Sequence, residues 1–249
     1  MKKITVLIPC YNEEKGVEKV IQGVPVNQLI NLGFTTEIVV INNNSTDKTA
    51  EVAESLGATV LFEPKKGKGN AMKTGFLYIK EDTDYIVMLD GDNTYKAKEI
   101  PRLIEPLDSG FCDVVVGSRL LGKVSKSAFK FSNRVVNWSY VFMVRQFYRV
   151  NVTDVLSGFF AWKRESLDAL KVHISSDGFA IEMEMITKMV KLGHKVYSVP
   201  ITYDVREGES KISSFKDGLR ISRMFFQNLN WTPSKKDRRF SFRIGGWVL

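Results

Sequence analysis

The sequence predicts an α/β fold: a doubly wound, mostly parallel sheet with helices on both faces. Three observations carry this. Short β-branched runs alternate with longer amphipathic stretches along the first half. The runs are continuously apolar, as strands buried on both faces require. Polar clusters fall where the runs end, which is where such sheets bind ligands. The 249 residues are 44% hydrophobic and 26% charged, and 18 Gly and 7 Pro exclude collagen-like and low-complexity chains. One sizeable domain is expected.

ITVLIP (4–9) reads as the first strand. Residues 13–31 carry Val17, Val20, Ile21 and Val24 at helical spacing, and Pro25 bends or ends that helix. EIVVIN (37–42) is a second strand. Ser45 or Thr46 is expected to cap a helix through Ala50, Val52, Ala53 and Leu56, which Gly57 stops. ATVLFE (58–63) is a third strand, GKGNAMKTGFLYIK (67–80) a helix entered through glycines, and DYIVMLD (84–90) a fourth strand. Helix 97–108 and strand CDVVVGS (112–118) complete the series. Beyond it, 126–150 is rich in aromatics and bases, and helix 179–192 follows Asp177-Gly178. KVYSVPITYDV (195–205) reads as an edge strand because Pro200 interrupts it. A basic loop, 206–211, leads to an amphipathic segment, 215–230.

The net charge of +8 invites a nucleic-acid reading, but its distribution argues against one. Residues 1–118 hold 13 Lys and Arg against 17 Asp and Glu, a net of −4; residues 119–249 hold 23 against 11, a net of +12. The halves handle different partners. Cys10 and Cys112 offer neither a disulfide framework nor a zinc site and read as buried thiols. The N-terminal MKKITVLIP is too short in apolar length for a signal peptide, and no stretch reaches the ~18 apolar residues of a membrane span. The expectation from these observations is a soluble or peripheral cytoplasmic protein.

Asp90-Gly91-Asp92 follows the strand YIVML. Carboxylates one residue apart can hold a hard divalent cation against a diphosphate. Other chemistries lack their residues. Gly67-Lys68-Gly69-Asn70 has no hydroxyl after the lysine, so it is no P-loop, and no GxGxxG is present. His173 and His194 lack metal-ligand spacing.

Seven segments occur in order: IPCYNEE (8–14), INNNSTDKT (41–49), GKGNAMKTG (67–75), MLDGDNTY (88–95), VVGSR (115–119), DVLSGF (154–159) and REGESKI (206–212). Together they resemble inverting family 2 glycosyltransferases of the GT-A fold, and among them the dolichyl- and polyprenyl-phosphate sugar synthases. The resemblance covers roughly residues 3–225. It implies one domain over 1–230, with a nucleotide-sugar half (1–118) and an acceptor half (119–230), and a basic, apolar tail over 231–249.

The resemblance implies that Pro9, Tyr11 and Glu13 border the nucleoside; Tyr11 offers a stacking face and Glu13 an acceptor for ribose hydroxyls. It makes Asp90 and Asp92 the Mg²⁺ or Mn²⁺ ligands, with Gly91 between them in the donor site. Thr94 stands where some members place a glutamine ligand. Arg119 and Arg134 match arginines that grip the acceptor's lipid phosphate, with Ser157 and Asp154 organising the loop beneath. Arg206 and Lys211 match residues that close over the donor diphosphate. Asn43 stands where many members carry an aspartate that reads the base edge; an amide suits uracil better than guanine, which favours a UDP-sugar over GDP-mannose. Glu182 and Glu184 lie near the acceptor position, and their spacing lets at most one face the site.

Segment 126–150 is the membrane candidate. Taken as one helix, Lys126, Lys130, Arg134, Arg145 and Arg149 fall on one side, while Phe129, Val135, Val136, Tyr140, Met143 and Phe147 fall largely opposite. Such a helix lies in a membrane interface; the alternative is a helix packed on the sheet. The expected partners are thus a nucleotide sugar, a polyprenyl phosphate and a membrane surface, with no nucleic acid. A sugar hydroxyl is the alternative acceptor; that reaction needs a base, for which Glu182, Glu184 or Asp154 would serve.

Overall fold

The computed structural model of the chain describes residues 1–207 and 214–234. Its strands are β1 (Lys2–Cys10), β2 (Phe34–Asn42), β3 (Thr59–Phe62), β4 (Tyr85–Met88), β5 (Val114–Val124), β6 (Phe160–Lys163) and β7 (Val196–Tyr203). They form one sheet in the order β3-β2-β1-β4-β6-β5-β7. The pairs β1–β2, β1–β4, β2–β3 and β5–β7 are parallel, and β6 runs antiparallel between β4 and β5. The expected mostly parallel sheet is thus present, with one reversed strand that the sequence pattern does not announce.

The period-2 alternation of a strand explains the continuous apolar runs. Ile4, Val6 and Ile8 of β1 face one hydrophobic cluster, and Leu7 faces another. The first cluster is closed by α1 (Glu14–Gln22), α2 (Val26–Asn31), α3 (Thr49–Ser55) and α5 (Ile100–Asp108). The second is closed by α4 (Lys68–Tyr78), α6 (Phe131–Tyr148), α7 (Arg164–Lys171), α8 (Ile181–Lys191) and α9 (Ser214–Asn230). Helices therefore cover both faces, as doubly wound sheets require.

Most expected elements are found. Pro25 separates α1 from α2, and Pro200 lies in β7, an edge strand. The cap of α3 differs from expectation. Asp47 Oδ1 accepts from Thr49 N at 3.0 Å, while Ser45 Oγ accepts from Asn12 N at 3.0 Å. The loop after β2 is thereby tied to the loop after β1.

The reading of 126–150 as basic on one side and apolar on the other needs correction. The regular helix α6 starts at Phe131, so Lys126 and Lys130 precede it. Its apolar residues split between two faces. Tyr140, Val141, Val144 and Tyr148 are buried in the core, whereas Phe131, Trp138 and Phe142 are 81%, 63% and 55% exposed. In α9, Ile221, Met224 and Phe225 pack into the core and Leu219 and Phe226 stay exposed. No helix among the described residues is long and apolar enough to cross a membrane.

Candidate functional site

The carboxyl ends of β1, β2 and β4 open into one cavity of about 260 Å³. Because β6 is antiparallel, its leading end lies at the same edge, and Phe160 pairs with Met88. The loop 154–159, from the second half of the chain, is thereby delivered to the strand end that carries Asp90. Gly158 makes the approach possible: a Cβ there would lie 2.2 Å from Asp90 Oδ2. Gly91 is required similarly, since its Cβ would stand 2.3 Å from Cys10 Sγ.

The cavity gathers Pro9, Tyr11, Glu13 and Asn43 from the first two strand ends, Asp90, Gly91 and Asp92 from the fourth, and Arg119 and Arg206 from the second half of the chain. Two expected site residues are not brought there. Arg134 is exposed on α6 and lines a separate groove of about 430 Å³ with Leu120, Val135 and Trp138. Ser157 is fully buried, and its Oγ accepts from Phe159 N at 3.2 Å; it shapes the loop and does not line the cavity. Lys211 lies outside the described residues.

Asn43 lines the cavity with both ends of its amide engaged. Its Nδ2 donates to the carbonyls of Lys65 at 2.7 Å and Glu63 at 3.2 Å, and its Oδ1 accepts from Gly67 N at 2.7 Å. The side chain retains one acceptor lone pair for a base edge. The donor-plus-acceptor match to uracil is not available to it. Tyr11 Oη accepts from Lys66 Nζ at 2.6 Å, with the ammonium 4.5 Å from the ring centre.

Two cations divide the carboxylates. Arg206 pairs with Asp92 at 3.0 Å and also with Glu13. Lys68 Nζ stands 2.5 Å from Asp90 Oδ1 and 2.6 Å from Glu182 Oε1. Asp92 Oδ1 also accepts from Thr94 N at 3.0 Å and Thr94 Oγ1 at 2.6 Å. Burial, then the neighbouring Asp90 charge, pushes the Asp92 carboxyl above its ordinary value despite Arg206. Burial likewise raises Glu182 against the pull of Lys68. The burial of Lys68 opposes its charge, yet Asp90 and Glu182 outweigh it and raise its pKa.

Arg119 is held differently. Its Nε and Nη2 donate to the two Asp154 oxygens at 2.8 and 2.9 Å, and Nη2 reaches Leu156 O at 2.6 Å. The guanidinium lies 4.7 Å from the Phe129 ring centre and 5.3 Å from that of Tyr203. With those three donors engaged, the two Nη1 hydrogens are what Arg119 retains for a ligand in the cavity it lines. Of the expected acidic pair on α8, Glu182 lines the cavity. Glu184 is fully buried and accepts from Ser175 N at 2.9 Å, Ser176 N at 2.8 Å and Lys188 Nζ at 2.6 Å.

Asp90 and Asp92 fit a hard divalent cation. Both supply carboxylate oxygens on one turn, and a cation there offsets the burial and the Asp90 charge that together raise Asp92. Among the described residues no group of three or more His, Cys, Asp and Glu could hold a metal, so a ligand or water must complete the shell. Lys66, Lys68, Tyr95 and Tyr203 also line the cavity, and no sequence motif singled them out as site residues. Lys68 lies in the GKGNAMKTG segment of the resemblance, which assigned it no role.

The family model for Glycosyl transferase family 2 matches residues 5–171. Glycosyltransferase AglJ of Haloferax volcanii is 34% identical over 224 residues, 86% of this chain and 68% of the relative. Dolichol-phosphate mannosyltransferase of Pyrococcus furiosus is 31% identical over 256 residues, 98% of this chain and 68% of the relative. Glucosyl-3-phosphoglycerate synthase of Mycobacterium tuberculosis, solved with Mn²⁺, UDP-glucose and phosphoglyceric acid, superposes with a TM-score of 0.69 at 21% identity, over 94% of this chain and 81% of that one. The likeness to that structure is one of fold.

Proposed function

The chain belongs to glycosyl transferase family 2, and from that premise we propose that it transfers a hexose, with inversion, from a nucleotide sugar to a polyprenyl phosphate. One observation carries the reading: Asp90 and Asp92 share a cavity with Arg119, a cation contributed by the other half of the chain. A site for an anionic donor and a cation for an anionic acceptor face the same space. The likeness to a relative named for dolichol phosphate supports the acceptor class.

Asp90 and Asp92 would hold Mg²⁺ or Mn²⁺, whose chemistry is to neutralise the departing nucleoside diphosphate. Glu13 binds the ribose, Tyr11 stacks near the base, and Asn43 contributes the remaining lone pair of Oδ1. That single acceptor leaves the uridine preference without its donor half, so the assay must include UDP- and GDP-sugars. Arg119 orients the acceptor phosphate. With a second pKa of about 6, a phosphomonoester is mostly dianionic at neutral pH, so its oxygen attacks the sugar C1 without a protein base. Arg206 stabilises charge on the leaving group.

The exposed apolar residues of α6, flanked by Arg134 and Arg145, support peripheral attachment at a membrane surface. The cytoplasmic face is the side where nucleotide sugars are supplied.

A hydroxyl acceptor is the second reading, and Glu182 favours it: a cavity carboxylate with a raised pKa is a competent base. A labelled-sugar assay separates the two. The purified chain is incubated with Mn²⁺, a panel of UDP- and GDP-hexoses, and either polyprenyl phosphate or phosphate-free sugar acceptors. Label in the lipid fraction alone supports the first reading; label on sugar acceptors alone overturns it.

A further inference from the structure

The glycine-lysine-glycine segment that opens α4 is used by neither the metal nor the acceptor reading. Its glycines serve packing. A Cβ on Gly67 would lie 2.2 Å from Asp177 O, and one on Gly69 2.2 Å from Ser176 O. Asn70 N donates to Asp177 O at 3.2 Å, and Lys73 pairs with Asp177 at 2.5 Å. The first turn of α4 is therefore pressed against the loop that enters α8. Backbone contact this close fixes Lys68 on one side and Glu182 on the other relative to each other.

Their side chains are 10% and 6% exposed, and both line the cavity. Lys68 bridges Glu182 at 2.6 Å and Asp90 at 2.5 Å. An ammonium has three donors and a carboxylate about four acceptor sites, so their mutual contact leaves capacity on both. Glu182 alone balances the ammonium, so the Lys68–Glu182 pair is neutral even when a metal takes up the charge of Asp90, and it offers a phosphate little attraction. A neutral group that both donates and accepts is the match, and a sugar hydroxyl is such a group. The cluster also lies beside Asp90, and a hexose on a diphosphate held there is one bond from the phosphate.

We propose that Lys68 and Glu182 read the hydroxyl groups of the donor hexose, with Lys68 also positioning Asp90. This rests on the nucleotide-sugar reading above. A site built to hydrogen-bond a hydroxyl rejects an analogue that lacks it, because its buried polar groups are then left unpaired.

The test is calorimetric binding in Mn²⁺ to UDP-glucose, UDP-galactose and GDP-mannose, to UDP and GDP, and to monodeoxy analogues of the hexose that binds best. Glu182→Gln should weaken the nucleotide hexose at least tenfold, about 1.4 kcal/mol, and leave the nucleoside diphosphate within about twofold. The unchanged chain should discriminate against one deoxy position at least tenfold, and Glu182→Gln should not. Lys68→Met should weaken both ligands, and Lys68→Arg should restore the diphosphate but not the hexose. Nucleoside diphosphate binding also reports that Glu182→Gln is folded, and circular dichroism with thermal melting reports it for the Lys68 variants. Equal losses for hexose-bearing and hexose-free ligands in Glu182→Gln, or unaltered deoxy discrimination, overturn the assignment alone. An unchanged chain that binds no nucleotide sugar overturns both it and the proposed function.

Discussion

Arg206 and Asp92 are ion-paired at 3.0 Å, so the chain's own cation sits on a carboxylate proposed to hold a metal. The same guanidinium reaches Glu13, the proposed ribose contact. Donor and metal must therefore share both carboxylates with Arg206 or displace it. For Arg206→Ala, Mn²⁺ titration without nucleotide should give binding at least as tight as in the parent. Turnover should fall roughly 10²–10³-fold with the loss of a leaving-group cation. Weaker Mn²⁺ binding would show that Arg206 supports Asp92 rather than competing for it.

Gly158 leaves no room for a side chain beside Asp90, where its Cβ would stand 2.2 Å from Oδ2. Gly158→Ala must therefore move the carboxylate or the loop. Overpacking of this kind costs about 1–3 kcal/mol, readable by urea unfolding. The displaced Asp90 should lower kcat/KM at least tenfold, roughly 1.4 kcal/mol. A variant that loses stability but keeps its activity would show that the position of Asp90 is not critical.

Asp154 is fully buried and holds Arg119 through paired bonds of 2.8 and 2.9 Å, with Asn137 Nδ2 at 2.6 Å. Removing one partner of such a pair strands the other charge. Asp154→Ala should therefore cost about 3–5 kcal/mol, while replacing both residues by apolar ones should cost less. Denaturant unfolding of the single and double variants gives the comparison. Additive losses would mean that Arg119 and Asp154 act independently.

Much of this arrangement was legible in the sequence because the governing signals are local. Continuous apolar runs marked β1, β2 and β4, and polar residues directly after them supplied Glu13, Asn43, Asp90 and Asp92. What was not legible depended on long-range contacts. The four residues of β6 are too few for periodicity to declare, and nothing local shows that they run antiparallel. Yet that reversal is what carries Gly158 to Asp90. Lys68 was hidden for a related reason: its partners, Asp90 and Glu182, are distant in sequence. The exposed apolar residues of α6 were misplaced because one helix carries two apolar faces, which a single-stripe reading merges.

Trp138 and Phe142 stack on the exposed side of α6 with ring centres 6.2 Å apart. If this face meets a lipid surface, Trp138→Glu with Phe142→Glu should reduce sedimentation with anionic phospholipid vesicles at least tenfold. Folding stability should change by no more than about 0.5 kcal/mol per site, as for surface substitutions generally. Undiminished vesicle binding would remove α6 from the membrane proposal.

Asp92 gives the metal-free protein a specific pH dependence. Its folded-state pKa is raised by burial and by Asp90, so the folded chain holds this proton more tightly than the unfolded one. The stability this contributes is fully present below the ordinary value of 3.8 and is lost as pH rises through the raised folded value. Glu182, raised by burial, acts in the same direction from its ordinary value of 4.5. Asp92→Asn removes one of these groups while an amide oxygen can still accept from Thr94. In chelator, its melting temperature relative to the parent should therefore be more favourable at pH 7 than at pH 4. Saturating Mn²⁺ should stabilise the parent at pH 7 and leave Asp92→Asn nearly unchanged, because the ion then relieves the same repulsion. A difference between variant and parent that does not vary with pH would mean that Asp92 bears no unfavourable charge in the folded state.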